Sequence, residues 1–438
     1  MRHFSFVGVF IFHNNFFLLG LIQIVPRLPP SIDGVGDYAF LLAKQMREAH
    51  GINTQFVVCD PNWKPEDGRR TTDDGLLTSD LRLDGFPFHQ LRERSAAELL
   101  RVLSAPGMPT TVLLHYVGYG YEKRGCPVWL VRALREWKNG KEKAEMLKPE
   151  TLKSDLRSQA SGLKFPVSNL RSPVSSFRSS AQPRLITMFH ELYASGPPWR
   201  SSFWTSPVQQ WIAKTLASMS EQCFTNRAAS ANWLAVASHH PMNAIPVLPV
   251  FSNLGEPESI LPLALRKPQM LVYGGLSRSP NDRDLAIKAI RQACNKLGIE
   301  RLIAFGSKTL DPASMDFPVK NVGMLTMEDS ARLLSESRVG YLDYFDGYLG
   351  KSTIFASYCA YALVPLMLRK NGSDADGLKM GSHFWAASTL PEEIGVEAQQ
   401  RIAEQAREWY DGHSVKETSR IFAAKLKPVA NHVDFPVE

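Results

Sequence analysis

The chain has 438 residues, 44% of them apolar and 21% charged, a globular composition with room for two cored domains that excludes an intrinsically disordered protein. Its net charge of +7 is local: residues 138–184 hold ten Lys or Arg against four Asp or Glu, a surplus of six that leaves +1 for everything else. The basic balance therefore does not mark a nucleic-acid binder, and five scattered cysteines without a CxxC pair mark neither a zinc site nor a disulfide framework.

The chain opens on an apolar stretch, residues 4–25, broken by His13-Asn14-Asn15 so that neither half reaches the roughly 20 residues a spanning helix needs. Arg2-His3 precedes it as in a signal peptide, yet no small-x-small cleavage site follows. Residues 1–17 read as a leader outside the core and residues 18–25 as a first buried strand. Further apolar runs at 54–59, 110–115, 185–189, 222–225 and 245–249 alternate with helical patterns, and a second set follows at 269–273, 301–305, 339–343 and 364–368. Each run is too continuously apolar for a half-exposed strand, so parallel sheets covered by helices are expected. On the helices, Ala39, Leu42, Ala43 and Met46 share one face, as do Val208, Trp211, Ile212 and Thr215. Ile287, Ile290, Cys294 and Leu297 do so in the second set, with Gly298 as the C-cap. All read as core.

The two sets imply α/β domains over 18–250 and 269–412, joined by a Gly- and Pro-bearing linker over 251–268. A C-terminal helix and tail, 413–438, is expected to pack back on the first domain. Residues 140–182 interrupt that domain with a seven-residue repeat, clearest in Pro166–Ser172 and Pro173–Ser179. A proline in successive copies and serine throughout exclude a coiled coil, and the segment reads as a disordered surface insertion. The cysteine usage fits a reducing cytoplasm. The basic insertion leaves room for peripheral contact with the inner face of a membrane.

Four motifs can carry chemistry. Gly34-Val35-Gly36 precedes a helix expected over 37–50, where backbone amides and the positive helix end favour anionic oxygens. Gly34-x-Gly36-x-x-Ala39 with Asp60 also satisfies the dinucleotide fingerprint, but eight residues with three prolines separate Val25 from Gly34, where the fingerprint demands a tight turn. His190-Glu191 and His115 each follow or end a predicted strand at its carboxyl edge, where ligands of open parallel sheets bind and a histidine can hydrogen-bond a sugar hydroxyl or a phosphate. Gly350-Lys351-Ser352-Thr353 opens a predicted helix and combines amides, a cation and two hydroxyls into a diphosphate cradle; the P-loop glycine five residues earlier is Phe345, which removes an ATPase reading. Gly274-Gly275 follows the first strand of the second set, with Arg278 and Arg283 placed to neutralise a leaving diphosphate. The unbranded alternative for each is structural: a packed histidine, an N-cap cluster or a solvated arginine.

The order of these pieces resembles the GT-B class of glycosyltransferases, in particular its retaining, metal-independent group 1 branch, over residues 18–425 apart from the insertion. Asp33-Gly34-Val35-Gly36 stands where that family has a Gly-Gly-Val-Gly loop, and His190 matches its strand-end histidine near the donor sugar. Gly274-Gly275 and Arg278 or Arg283 correspond loosely to its diphosphate-binding Gly-Arg loop and lysine, and Asp346 to Thr353 to its acidic-x-Phe-Gly loop and helix. The family's two glutamates, eight residues apart, are missing: the candidate positions hold Gly347, Phe355 and Ser357, and Asp346 alone is acidic.

The resemblance implies two Rossmann-like domains facing across a cleft, with a nucleotide diphosphate sugar as substrate, no other cofactor and no metal. It implies transfer of a hexose, with retention, to the hydroxyl of a glycan, lipid or small-molecule acceptor. His190 and Asp346 are the candidate catalytic residues, and the starts of the helices at Gly36 and Lys351 are expected to grip the pyrophosphate from both sides. The missing glutamates leave a non-catalytic nucleotide- or partner-binding protein as the alternative, and the Gly34 loop with Asp60 leaves an NAD-dependent oxidoreductase as a lesser one.

Overall fold

The computed structural model describes residues 20–31, 33–65, 82–140, 182–238, 241, 244–276, 280–315, 317–368, 374–392 and 394–426. The leader, most of the repeat insertion and Arg278 lie outside them. The first half contains β1 (Gly20–Val25), α1 (Gly34–His50), β2 (Asn53–Val58), β3 (Arg82–Leu83), β4 (Phe86–Gln90), α2 (Ala96–Leu103), β5 (Thr111–Tyr116), α3 (Gly118–Tyr121), α4 (Val128–Asn139), β6 (Arg184–Phe189), α5 (Ser201–Met219), β7 (Gln222–Thr225) and α6 (Ala228–Ser238). The second contains β8 (Lys267–Tyr273), α7 (Pro280–Leu297), β9 (Arg301–Phe305), β10 (Val319–Gly323), α8 (Met327–Glu336), β11 (Ser337–Leu342), α9 (Thr353–Ala360), β12 (Val364–Met367), β13 (Trp385–Ala386), α10 (Val396–Asp411) and α11 (Val415–Leu426).

The strands form two sheets, ordered β3-β4-β2-β1-β5-β6-β7 and β10-β9-β8-β11-β12-β13. Every pairing is parallel except β3 with β4. The central strands are buried on both faces, as β5 is at all six positions, which is why their sequences are apolar without alternation. Residues 245–249 do not form a strand: Val247 makes only an isolated bridge to Thr225, and the chain then turns towards the second sheet through the buried Val250, Phe251 and Ser252. The two halves share an apolar cluster that includes Leu21 and Tyr38 on one side, Phe251 between, and Leu271, Tyr358 and Phe355 on the other. Helix α11 lies against the first half: Phe422 packs on Phe224 with ring centroids 4.2 Å apart, and Arg184 donates to the carbonyl of Leu426 at 2.8 Å.

Capping defines the helix ends. Asp33 accepts the amide of Val35 and starts α1, three residues earlier than expected, and Gly51 in the left-handed region (φ 64°) ends it. Gly298 (φ 62°) follows α7 in the same way. The face expected for α5 is wrong by about a quarter turn. Its buried residues are Gln209, Ile212, Ala213, Leu216 and Ala217, while Val208 and Trp211 face solvent. Among the described residues no helix is long and apolar enough to cross a membrane.

Candidate functional site

Because the strands of each sheet run parallel, each sheet gathers its carboxyl ends along one edge, and the residues leaving those ends meet between the halves. From β6 come His190 and Glu191, and from β7 come Asn226 and Arg227. From β11 the chain passes into a short 3₁₀ helix, Asp346–Lys351, that delivers Tyr348 and Lys351. His190, Glu191, Arg227, Tyr348 and Lys351 line a cavity of about 410 Å³, together with Tyr193 and Trp233. Lys351 Nζ crosses between the halves to Glu191 Oε1 at 2.9 Å. Arg227 stacks its guanidinium 3.9 Å above the Tyr348 ring, and its Nε faces Asp376 Oδ2 at 3.9 Å, too far for a hydrogen bond. Two cations and one carboxylate thus converge on a polar, open pocket.

His190 forms the floor of the cavity and is 6% exposed. Its Nε2 lies 3.2 Å from His115 Nδ1, and its backbone amide bonds the Tyr116 carbonyl at 2.9 Å. Burial, with the Lys351 charge adding to it, pushes the His190 imidazole down to about 3, and burial followed by His190 holds His115 well below the usual range. Both rings are neutral at physiological pH.

No protein-family model matches this chain, and no curated protein does. Solved structures do. A glycosyltransferase of Rickettsia africae superposes with a TM-score of 0.51 over 93% of this chain and 97% of that one, at 11% identity. A protein assigned as a UDP-N-acetylglucosamine 2-epimerase of Listeria monocytogenes gives 0.51 over 93% and 96%, at 12% identity. HepE of Anabaena, in complex with UDP-glucose, gives 0.50 over 93% and 98%, at 10% identity. At such identities the shared property is the architecture, two parallel-sheet halves facing across a cleft. The chain has the GT-B fold.

Within the GT-B frame the residues singled out in the sequence scatter. His190, Glu191 and Lys351 meet at the cavity. His115 does not: it is fully buried behind His190, with Nε2 2.7 Å from Gln23 Oε1, and it cannot touch a ligand. Gly34 and Gly36 are not on the cavity either. They lie in the first turn of α1, and Gly36 is needed for packing, since a Cβ there would sit 2.3 Å from the Arg27 carbonyl oxygen. The first turn of α1 carries the Asp33 cap and Asp37. The helix stands behind the cavity wall, where Tyr38 meets the His190 ring edge-on at 5.0 Å.

Lys351 belongs to the 3₁₀ turn. Ser352 caps α9 by accepting the Phe355 amide at 3.2 Å, with Thr353 as the first helical residue. Gly350 is small because the halves approach there: a Cβ would lie 3.1 Å from both the Asn226 carbonyl and Asp376 Oδ2. Asp346 is buried and accepts the Gly347 amide, away from the cavity lining. Gly275 (φ 75°) turns the chain after β8, and Arg283 is exposed on the first turn of α7; neither lines the cavity. Asp60 is engaged by Arg27, Arg94 and the Asn62 amide, which takes away the ribose ligand the oxidoreductase reading needs. Arg227, Tyr348, Tyr193 and Trp233 were not singled out. The strand-end rule that identified His190 points equally to Arg227, two residues beyond a strand predicted over 222–225.

Asp37 yields a separate prediction. Burial, with Asp33 adding to it and a hydrogen bond from Asn253 opposing, raises its carboxyl from 3.8 to about 6. The folded chain therefore holds this proton more tightly than the unfolded one. The stability it contributes is complete below about pH 4 and is lost as pH rises through about 6. Asp37→Asn is expected to raise stability by about 1–2 kcal/mol at pH 7.5, a partly exposed group being discounted from the full shift. Urea midpoints at pH 7.5 and pH 3.5 check this, with the variants indistinguishable at the lower pH.

Proposed function

We propose that this protein is a glycosyltransferase that moves a hexose from a nucleotide diphosphate sugar to an acceptor hydroxyl, with retention and without a metal. The reading rests on one observation: at the carboxyl edges of both sheets, Arg227 and Lys351 converge from opposite halves on a cavity floored by His190. A diphosphate placed there takes Lys351 from Glu191. Its leaving charge is then shared by two cations, one of them a planar fork with directed donors. His190, neutral and held at the floor, hydrogen-bonds the sugar. Glu191, once released, is the carboxylate next to the reacting carbon and to the incoming hydroxyl.

A second reading is favoured by a specific feature. Of the candidate positions for the family's glutamate pair, Gly347, Phe355 and Ser357 are all buried; Phe355 packs on Phe384 and Trp409, and Ser357 bonds Ser252 at 2.9 Å. A GT-B protein that binds a nucleotide without turning it over would look like this. Nucleoside diphosphate release from UDP-, GDP- and ADP-sugars separates the two: sustained release supports transfer, and binding of the same nucleotides with no release supports the second reading.

For the acceptor side we infer a lipid–water interface. Helix α5 and the loop before it expose Trp199 (84%), Trp204 (71%), Phe203, Val208 and Trp211 on one surface. Between Glu191 and Glu221 there is no acidic residue, and Arg200 and Lys214 are exposed in the same segment. Exposed indoles in a basic segment suit the headgroup layer of an anionic bilayer. The loop that carries Trp199 starts at the cavity wall, so an acceptor held in the membrane reaches the site directly. The full chain is expected to sediment with phosphatidylglycerol vesicles and not with phosphatidylcholine alone, and to lose this several-fold in Trp199→Ser/Trp204→Ser. Undiminished binding by that variant assigns the contact to the leader or the basic insertion instead.

A further inference from the structure

Behind His190 an unbroken row of polar side chains crosses four neighbouring strands of the first sheet. Gln23 on β1 donates from Nε2 to Thr54 Oγ1 on β2 at 3.3 Å, and Gln23 Oε1 lies 2.7 Å from His115 Nε2 on β5. His115 Nδ1 then lies 3.2 Å from His190 Nε2 at the end of β6. All four are buried, and Tyr38 packs edge-on against both imidazoles. Two adjacent imidazoles and an amide in a dry core cost folding energy unless every member is bonded, and aliphatic side chains would avoid the cost altogether.

Such a row can run in either direction, because the Thr54 hydroxyl and both imidazoles can donate or accept, and the orientation of the Gln23 amide selects which. In the structure the amide nitrogen faces Thr54 and the carbonyl faces His115. His115 therefore carries its proton on Nε2 and offers a lone pair at Nδ1. His190 answers with Nε2–H. Being neutral, His190 then has an unprotonated Nδ1, the ring nitrogen left for the cavity it lines.

We propose that Gln23 and His115 are positioning residues that hold His190 as the Nε2–H tautomer, so that Nδ1 accepts a hydrogen bond from a sugar hydroxyl in the cavity. The consequence for substrate rests on the transfer reading above; the tautomer does not. Neither residue touches substrate. Their effect is to turn a ring that could donate or accept into one that only accepts, which favours a free hydroxyl at that position of the sugar and disfavours an ether or a deoxy carbon.

The test is long-range ¹H–¹⁵N NMR of the full chain labelled at histidine, with kinetics on the same samples. The wild type is expected to show His115 and His190 neutral and both as Nε2–H tautomers. In Gln23→Met the His190 signal is expected to move towards a tautomer mixture. In the same variant kcat should fall about tenfold, the factor for one hydrogen bond, with KM for the donor unchanged within about twofold. His115→Asn, whose amide oxygen can stand in for Nδ1, is expected to restore most of the rate lost in His115→Leu. A wild-type His190 with its proton on Nδ1, or a Gln23→Met chain with an unaltered His190 tautomer, overturns the proposal. If the tautomers are as expected but no sugar nucleotide is consumed, positioning stands and the transfer reading falls.

Discussion

Replacing Lys351 with alanine is expected to lower transfer from the sugar nucleotide by about tenfold to a hundredfold, since a hydrogen bond to a charged group contributes roughly 1.5–3 kcal/mol. The loss should appear in kcat as much as in KM, because the negative charge that Lys351 meets grows as the diphosphate departs. Arg227→Ala is expected to act in the same direction, and the double variant to lose less than the product of the two, as both cations serve one leaving group. Glu191 supplies the internal control. It is the partner of Lys351 at 2.9 Å, and both side chains are partly exposed, so this ion pair adds little to stability and its loss should leave the fold intact. Steady-state rates with each variant, alongside unchanged melting temperatures, check the assignment. Full activity in Lys351→Ala shows that the diphosphate binds elsewhere.

The second large effect is on stability. Gly36→Ala places a methyl group 2.3 Å from the Arg27 carbonyl oxygen and 3.3 Å from Leu28 Cα, both backbone atoms that cannot swing aside. Helix α1 must then shift from the loop at 27–31, and a loss of about 3 kcal/mol or more is expected. Gly34→Ala is the matched comparison: nothing lies within 4 Å of a Cβ there, and a change near zero or slightly stabilising is expected. Denaturant midpoints of the two variants separate the alternatives for this pair of glycines. If they served backbone approach to a ligand, both substitutions would weaken nucleotide binding and neither need destabilise the fold.

The glycine pair shows where the sequence is readable and where it stops. The strands were legible because burial on both faces leaves an apolar run: β7 and β9 fall on their predicted residues, and the central strands are displaced by no more than a residue or two. The edge strand β10, Val-Lys-Asn-Val-Gly, is half wet and left no such run. For α5, the exposed Trp211 passed as a core residue because an aromatic at helical spacing has the same signature on either face. At the site, the strand-end rule found His190 and Glu191, since the position at a parallel sheet's edge is fixed by topology. Lys351 stood out by its neighbours. Arg227 did not, because an arginine after a strand has no local pattern, and its partner Tyr348 is 121 residues away in the other half. His115 was read as a contact for want of Gln23, which only the sheet order β2-β1-β5-β6 brings beside it. Glycines before a helix cannot be sorted from sequence into those that admit a ligand and those that admit a neighbouring loop's carbonyl.

The measurement closest to the heart of this account is a melting-temperature titration with nucleoside diphosphates, run in parallel on the wild type and on Lys351→Ala/Arg227→Ala. Stabilisation of the wild type by at least one of UDP, GDP or ADP, absent from the double variant, is the predicted result. An equal response from both proteins, or none from either, would mean that the two cations do not share a diphosphate.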